Sequence, residues 1–290
     1  MSTLRTVEPS LRSRWLGRWL RALREDRGFR LSHVANMASV RLAEINAAEH
    51  GTHLLEVNQV EALLELYGVS DQYERYRLVN LARVARHLRR WEGFTDAPPL
   101  SRETLDCLWL EAHAVHIRCF SSTLVPDLLQ LPAYAEAVAR QATGTAVSPA
   151  HVSWWGRTCA ERQQALYGPP LTTLRVVVAE AALHRPPDSS AVVVRDQLHH
   201  LVDAPRLSQL TLQVLPTAVP FLPGMDGSFT VLEPVPPHPH AVVLHALTGP
   251  LIHEEHAELY AGAFEQLSQA ALTPEASADL IAEAAKRSTT

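Results

Sequence analysis

Cysteine is scarce in this chain: Cys107, Cys119 and Cys159 are the only three in 290 residues, and no two form a C-x-x-C pair. That count and spacing suggest neither a disulfide framework nor a thiolate metal site, and buried free thiols in a reducing compartment are the expectation. Lysine is scarcer still. Lys286 stands alone, and arginine carries nearly all the positive charge, which we read as codon bias rather than chemistry. No apolar run has transmembrane length. Met1 to Ser10 lacks the apolar core of a secretory signal, so no membrane partner is expected and a cytoplasmic location is. A Gly-rich phosphate loop, a nucleophile elbow and a Cys/His dyad are also missing. No catalytic residue and no cofactor is therefore expected, and an enzyme is not the leading reading.

What is present divides the chain. Its length suits about two domains. Residues 1–93 hold 15 arginines against 11 acids, a balance of +4, whereas the remainder holds 11 basic residues against 20 acids, a balance of −9. A basic module on an acidic body is the footprint of one end approaching phosphate. Within that module, Leu16, Trp19, Leu20 and Leu23 recur at helical spacing and Gly28 supplies the stop. Val34, Ala35 and Met37 predict a short second helix, Ser39-Val40 a tight turn, and Arg41 to about Glu49 a third helix closed by Gly51. This is the spacing of a helix-turn-helix, whose last helix presents its outward residues to base edges in the major groove. Those residues are Arg41, Leu42, Ala43, Glu44, Asn46, Ala47 and His50, and only Arg41, Asn46 and Glu44 carry groups that discriminate base pairs.

Val60, Leu63, Leu64 and Tyr67 predict a fourth helix, stopped by Gly68; Asp71 and Glu74 open a fifth, running to about Arg90. Gly93 to Leu100, with Pro98-Pro99, reads as a linker, and Ser101 opens an amphipathic helix through Leu105, Leu108, Trp109 and Ala112. Beyond it, Tyr134–Gln141, His151–Tyr167 and Ser190–Val202 read as helices. Leu174–Val178, Leu210–Leu215, Phe229–Leu232 and Ala241–Leu247 read as strands. Leu215 to Gly227 is an irregular loop, and two helices, Glu254–Ala271 and Pro274–Lys286, close the chain. The expected fold is a mainly α, five-helix helix-turn-helix bundle over 11–92, followed by a mixed α/β domain with a small sheet over 101–287.

The order and spacing of several short segments resemble a known family. In the first half they are Leu20-Arg21-Ala22-Leu23-Arg24, Val34-Ala35, Glu49-His50-Gly51 and Leu63 to Val69. In the second they include Leu110-Glu111-Ala112, Val125-Pro126-Asp127-Leu128-Leu129-Gln130 with Tyr134-Ala135, Glu161-Arg162-Gln163, Glu180-Ala181-Ala182-Leu183, Val214-Leu215-Pro216 and Gly227-Ser228-Phe229-Thr230. From about Leu16 to Ile281 the chain resembles actinobacterial regulators of the xenobiotic-response-element (Cro/repressor-like) type, which carry an antitoxin-like carboxy-terminal domain of poorly known function. The resemblance implies a DNA-binding transcriptional regulator, dimeric, with a carboxy-terminal domain that senses a protein partner or small ligand. The chain departs from the family pattern where Arg30-Leu31 replace Thr-Gln, and where Asp127, Leu131 and His245 replace Gly, Thr and a strand acid.

The candidate DNA-binding residues are Arg18, Arg21, Arg30, Ser32, Arg41, Glu44 and Asn46. They belong to a basic run, Arg12, Arg14, Arg18, Arg21, Arg24, Arg27 and Arg30, in which Arg14, Arg18 and Arg21 share a helix face. In this motif the first helix crosses the DNA backbone, so the run faces phosphate; the alternative is a solvated helix face. Asn46 pairs with adenine or bonds the local backbone. Glu180, Arg185 and His245 are candidates for a ligand pocket, with a buried ion pair orienting Glu180 as the plainer alternative. His253-Glu254-Glu255-His256 puts two histidines at i, i+3 rather than the i, i+4 of a zinc helix, so no metal is expected. Two rival functions stand beside the regulator: a degenerate helix-turn-helix serving as an antitoxin-like protein-interaction module, and an enzyme recruited from a regulator.

Overall fold

The computed structural model describes residues 9–86, 100–142, 148–165, 168, 169, 171–188, 190–204, 208–236, 238–247 and 249–288. The chain divides into two compact units, Met1–Thr95 and Asp96–Thr290. The expected linker over 93–100 falls almost wholly outside the described residues.

The first unit is five helices: α1 (Leu11–Asp26), α2 (Leu31–Met37), α3 (Leu42–Glu49), α4 (Val57–Leu66) and α5 (Gln72–Arg86). Ser10 caps α1, its Oγ accepting from the Ser13 amide at 3.1 Å, and satisfies one orphan donor of the first turn. Gly28 ends α1 at φ 66°. The turn between α2 and α3 holds Ser39 at φ 53°, a left-handed conformation rare for a residue with a side chain. The core is Trp15, Leu16, Leu20, Val34, Ile45, Leu63, Leu64, Tyr67, Leu78 and Leu81. The apolar face expected for α1 therefore needs rotating. Leu16 and Leu20 are buried, but Trp19 and Leu23 are only half-buried, and the innermost stripe runs Leu11, Trp15, Leu16, Leu20 and Arg24. α1 lies against α3 closely enough that a Cβ on Gly17 would stand 2.4 Å from the Ala48 carbonyl oxygen.

The second unit starts with α6 (Arg102–Ala112), capped by Ser101. It then alternates β1 (Ala114–Ser121), a 3-10 turn at Asp127–Leu129, α7 (Pro132–Ala142), α8 (Pro149–Ala165), β2 (Thr173–Ala179), α9 (Glu180–Leu183), α10 (Ala191–Asp203) and β3 (Leu210–Leu215). β4 (Phe229–Pro234), β5 (Ala241–Ala246), β6 (Gly249–His253), α11 (Ala257–Ala270) and α12 (Pro274–Arg287) complete it. The six strands form one sheet in the order β3-β2-β1-β4-β5-β6. β1, β2 and β3 are parallel, joined by helical crossovers, and β4, β5 and β6 form an antiparallel meander on the other side of β1. Period-2 alternation sends Phe120, Val177, Leu215, Phe229, Val231 and Val242 to one face, where they bury Phe264 and Leu267 of α11.

Two of the strands, β1 and β6, are not predicted from the sequence. β1 carries His116 and Arg118 on its α11 side, where Arg118 is satisfied by Glu233 and Glu265; neutralised in this way it does not interrupt the strand, although its charge conceals it. β6 is poor in strand formers and exists as the return leg of a hairpin on β5, with Leu244 opposite Leu251. The outer edge of β3 is covered: the Leu272 amide donates to the Val214 carbonyl at 2.9 Å, and the Val214 amide donates to Ser277 Oγ at 2.8 Å. Such covering removes an unpaired edge from solvent.

Candidate nucleic-acid interface

The reading helix is held from its inner side by one ion pair. Arg24, on the buried stripe of α1, donates from Nε to Glu49 Oε1 at 2.6 Å and from Nη2 to Oε2 at 2.9 Å. Its Nη1 donates to the Phe29 carbonyl at 2.9 Å. Arg24 is 8% exposed and Glu49 5%, so both charges are desolvated and each depends on the other. The hydrogen bond to Glu49 raises the Arg24 pKa above its ordinary value. The guanidinium thus ties together α1, the loop after it and the end of α3. This corrects the expected basic run: Arg24 is turned inward and Arg12 is also buried, so neither belongs to a phosphate-facing surface. The signal was legible as Arg24 four residues after Leu20, and Glu49 four after Ile45, each on its helix's buried face.

The outer side of α3 is arranged by a second pair. Arg41, the residue before the helix, donates from Nε to Glu44 Oε1 at 2.9 Å, and its Nη2 makes a further bond to the same oxygen. Its backbone amide is 3.3 Å from Glu44 Oε2. The side-chain bond holds the Glu44 carboxyl below the usual carboxylate range and raises Arg41. Asn46 is exposed, its carbonyl accepts from His50 Nδ1 at 2.7 Å, and among the described residues no hydrogen bond ties down its amide side chain. Leu42, Ala43 and His50 are exposed around it.

Arg14, Arg18 and Arg21 are exposed along α1, and Arg21 is paired with Glu25 at 2.9 Å. Arg30 precedes α2 and Ser32 lies in its first turn, both exposed. The seven candidate residues thus lie on α1, around the start of α2, and on α3.

The candidate ligand residues of the second unit are not brought together. Glu180 opens α9 at the end of β2, and His245 lies exposed on β5 opposite Pro250. β1 and β4 stand between those strands, which separates them by roughly 14 Å at the ordinary strand spacing. Arg185 is exposed beyond α9. The ion pair expected to orient Glu180 is replaced by a backbone bond: the Thr217 amide donates to Glu180 Oε2 at 2.8 Å, lowering the carboxyl's pKa. Of the histidines, His240 lies 3.1 Å from Glu258 and the rings of His253 and His256 are 5.9 Å apart. Among the described residues no group of three or more His, Cys, Asp or Glu side chains could hold a metal ion.

Sequence reasoning missed the buried centre of this unit. Arg162 of α8 is bidentate to Glu111 of α6, at 2.7 Å on both oxygens, and lies 3.7 Å from Asp127. Burial alone would lower the Arg162 pKa, but the charges of Glu111 and Asp127 raise it. Burial pushes the thiols of Cys119 and Cys159 up to about 12. Thiols so raised stay protonated at neutral pH and are unreactive.

Residues 15–78 match the model of a helix-turn-helix domain, and residues 104–283 match a domain of unknown function, DUF5753. The second match spans more than half of the chain, so the chain belongs to the DUF5753 family, with the helix-turn-helix module of DNA-binding regulators ahead of it. No curated protein and no solved structure matches the chain. No helix among the described residues is long and apolar enough to cross a membrane.

Proposed function

We propose that the chain is a cytoplasmic DNA-binding transcriptional regulator of the xenobiotic-response-element type, acting as a dimer, whose DUF5753 unit senses a protein partner or small ligand. The observation that carries this reading is the treatment of α3. Its inner side is locked to α1 through Arg24 and Glu49, while Asn46 on its outer side is exposed beside Arg41. A helix fixed this way holds its outer residues in register with base edges, and Arg18, Arg21 and Arg30 on neighbouring elements supply phosphate contacts, the main source of affinity. Ser32 adds a backbone contact, Asn46 faces the bases, and the paired Arg41 and Glu44 stand beside it at the phosphate edge of the groove.

Selection of bound fragments from genomic DNA, at one fixed salt concentration, tests this. A shared motif in the recovered fragments is expected, as two half-sites about 34 Å apart or a multiple of that. Asn46→Ala should then cost roughly 1–3 kcal/mol on the preferred site and relax preference there. Arg18→Ala should weaken all duplexes alike and reduce the salt slope by up to about one unit. Recovery of unrelated fragments, with equal weak binding to random duplexes, would overturn the reading.

A further inference from the structure

The outward face of α3 has few free hydrogen-bonding groups and a surplus of exposed hydrocarbon. Met37, at the end of α2, is 62% exposed and Leu42, at the start of α3, is 50% exposed. They stand on either side of the turn that delivers the reading helix. Ala43 is exposed next to Leu42, and Ala47 is half-exposed one turn further on. The two charged groups of the same face, Arg41 and Glu44, are engaged with each other, which turns the bonded edge of the Arg41 guanidinium away from a ligand and leaves only its outer Nη1 edge open. His50 spends Nδ1 on the Asn46 carbonyl. What this face offers a ligand is the Asn46 amide with Leu42 four residues before it on the same side, flanked by methyl and thioether groups.

In the major groove that combination fits one base pair. Adenine presents the N7 acceptor and N6 donor that an asparagine amide matches with two bonds, and thymine opposite it presents a C5-methyl group that matches an apolar side chain. We propose that the chain reads A·T steps chiefly through thymine methyl groups, with Leu42, Met37 and the alanines as the methyl contacts and Asn46 as the single hydrogen-bonding reader. The inference rests on the DNA-binding function proposed above. A duplex, rather than an apolar protein surface, is the occupant because the patch lies on the helical unit that exposes Arg14, Arg18 and Arg30, in the half of the chain that carries the +4 balance.

The test uses the full chain and duplexes recovered by selection from a random pool. Each thymine in the preferred site is replaced in turn by deoxyuridine, which removes the C5-methyl and leaves every hydrogen-bonding group in place. Binding is followed by fluorescence anisotropy. At contacted steps each exchange should weaken binding roughly fourfold, the worth of one buried methyl. Leu42→Ala, or Met37→Ala at its own step, should produce a loss of that order on the thymine duplex and none on the deoxyuridine duplex. The salt slope should not move, because no phosphate contact changes. Both side chains are exposed, so thermal melting should be unaltered. At the step read by Asn46, a 5-methylcytosine·guanine pair restores the methyl but lacks the adenine edge, and should rescue binding only in part. Sequence preference that survives every thymine exchange, or a preferred site without thymine, would overturn the inference and leave the DNA-binding function intact. Failure to bind any duplex in preference to another would overturn both, and would point to a protein occupant for the same patch.

Discussion

Arg24 and Glu49, 25 residues apart in sequence, form a two-bond ion pair in the interior of the helical unit. Removing one partner leaves a buried charge without compensation, so Arg24→Ala or Glu49→Ala should each cost about 3–5 kcal/mol. Replacing both, as Arg24→Met with Glu49→Leu, should cost far less, since no charge is then stranded. Denaturant unfolding of the single and double variants checks this; equal losses in all three would show that shape, not charge, dominates the site.

Gly17 separates two opposing effects. Helix propensity alone makes Gly17→Ala stabilising by up to about 1 kcal/mol. The new Cβ, however, would stand 2.4 Å from the Ala48 carbonyl oxygen and 2.8 Å from that of Glu49. These are backbone atoms that cannot swing away, so overpacking should win and the change should destabilise by about 1–3 kcal/mol. A raised melting temperature for Gly17→Ala would contradict the close approach of α1 to α3.

The Arg41–Glu44 pair predicts a pH dependence. Its hydrogen bond holds the folded Glu44 pKa below the ordinary value. The pair is therefore complete above the unfolded carboxylate pKa and is lost as pH falls through the lower, folded one. On the proposed DNA-binding role, affinity should move the opposite way, because protonating Glu44 frees the Arg41 charge for phosphate. At neutral pH Glu44→Gln should bind all duplexes more tightly, with a salt slope steeper by up to about one unit. The gap between the variant and the wild type should close only at pH below the ordinary carboxylate range. Anisotropy titrations at several pH values measure it, and a gap that closes near neutrality would sink the assignment to Glu44.

The thiols give a simpler expectation. Cys119 and Cys159 are buried, with pKa values of about 12, and burial also raises Cys107. A disulfide-exchange reagent at neutral pH should leave the folded chain largely unmodified and should titrate three thiols after unfolding. Rapid stoichiometric reaction of the native protein would contradict this placement.

The sequence discloses the parts of the fold where one physical signal acts alone. Apolar period with a boundary residue, Gly51, Ser190 or Pro274, located α3, α10 and α12 almost to the residue. Such signals failed where a charge sits on a buried face. Arg24 in α1 was assigned to a phosphate-facing run and β1, with Arg118, was not read as a strand, since the carboxylates that neutralise these arginines, Glu49 and Glu233, lie far away in the chain. The outward residues of α3 were legible because a short helix between two turns leaves little choice of face. The mutual neutralisation of Arg41 and Glu44 was not, because an i, i+3 pair acquires its geometry only when the preceding residue is extended, as Arg41 is. The Arg162 centre needed three elements to converge, and no local pattern announces that.

The close seating of α3 on α1 has a consequence for how such chains diversify. Inner positions such as Gly17, Arg24, Ile45, Ala48 and Glu49 are mutually constrained, and changing one without the others is costly. Leu42, Ala43 and Asn46 touch little of the protein, and exposed positions of this kind usually tolerate exchange within about 0.5 kcal/mol. Target preference can therefore drift rapidly through a few codons while the scaffold stands still. Paralogues with unlike operators should differ mostly at these outer positions and share the inner ones.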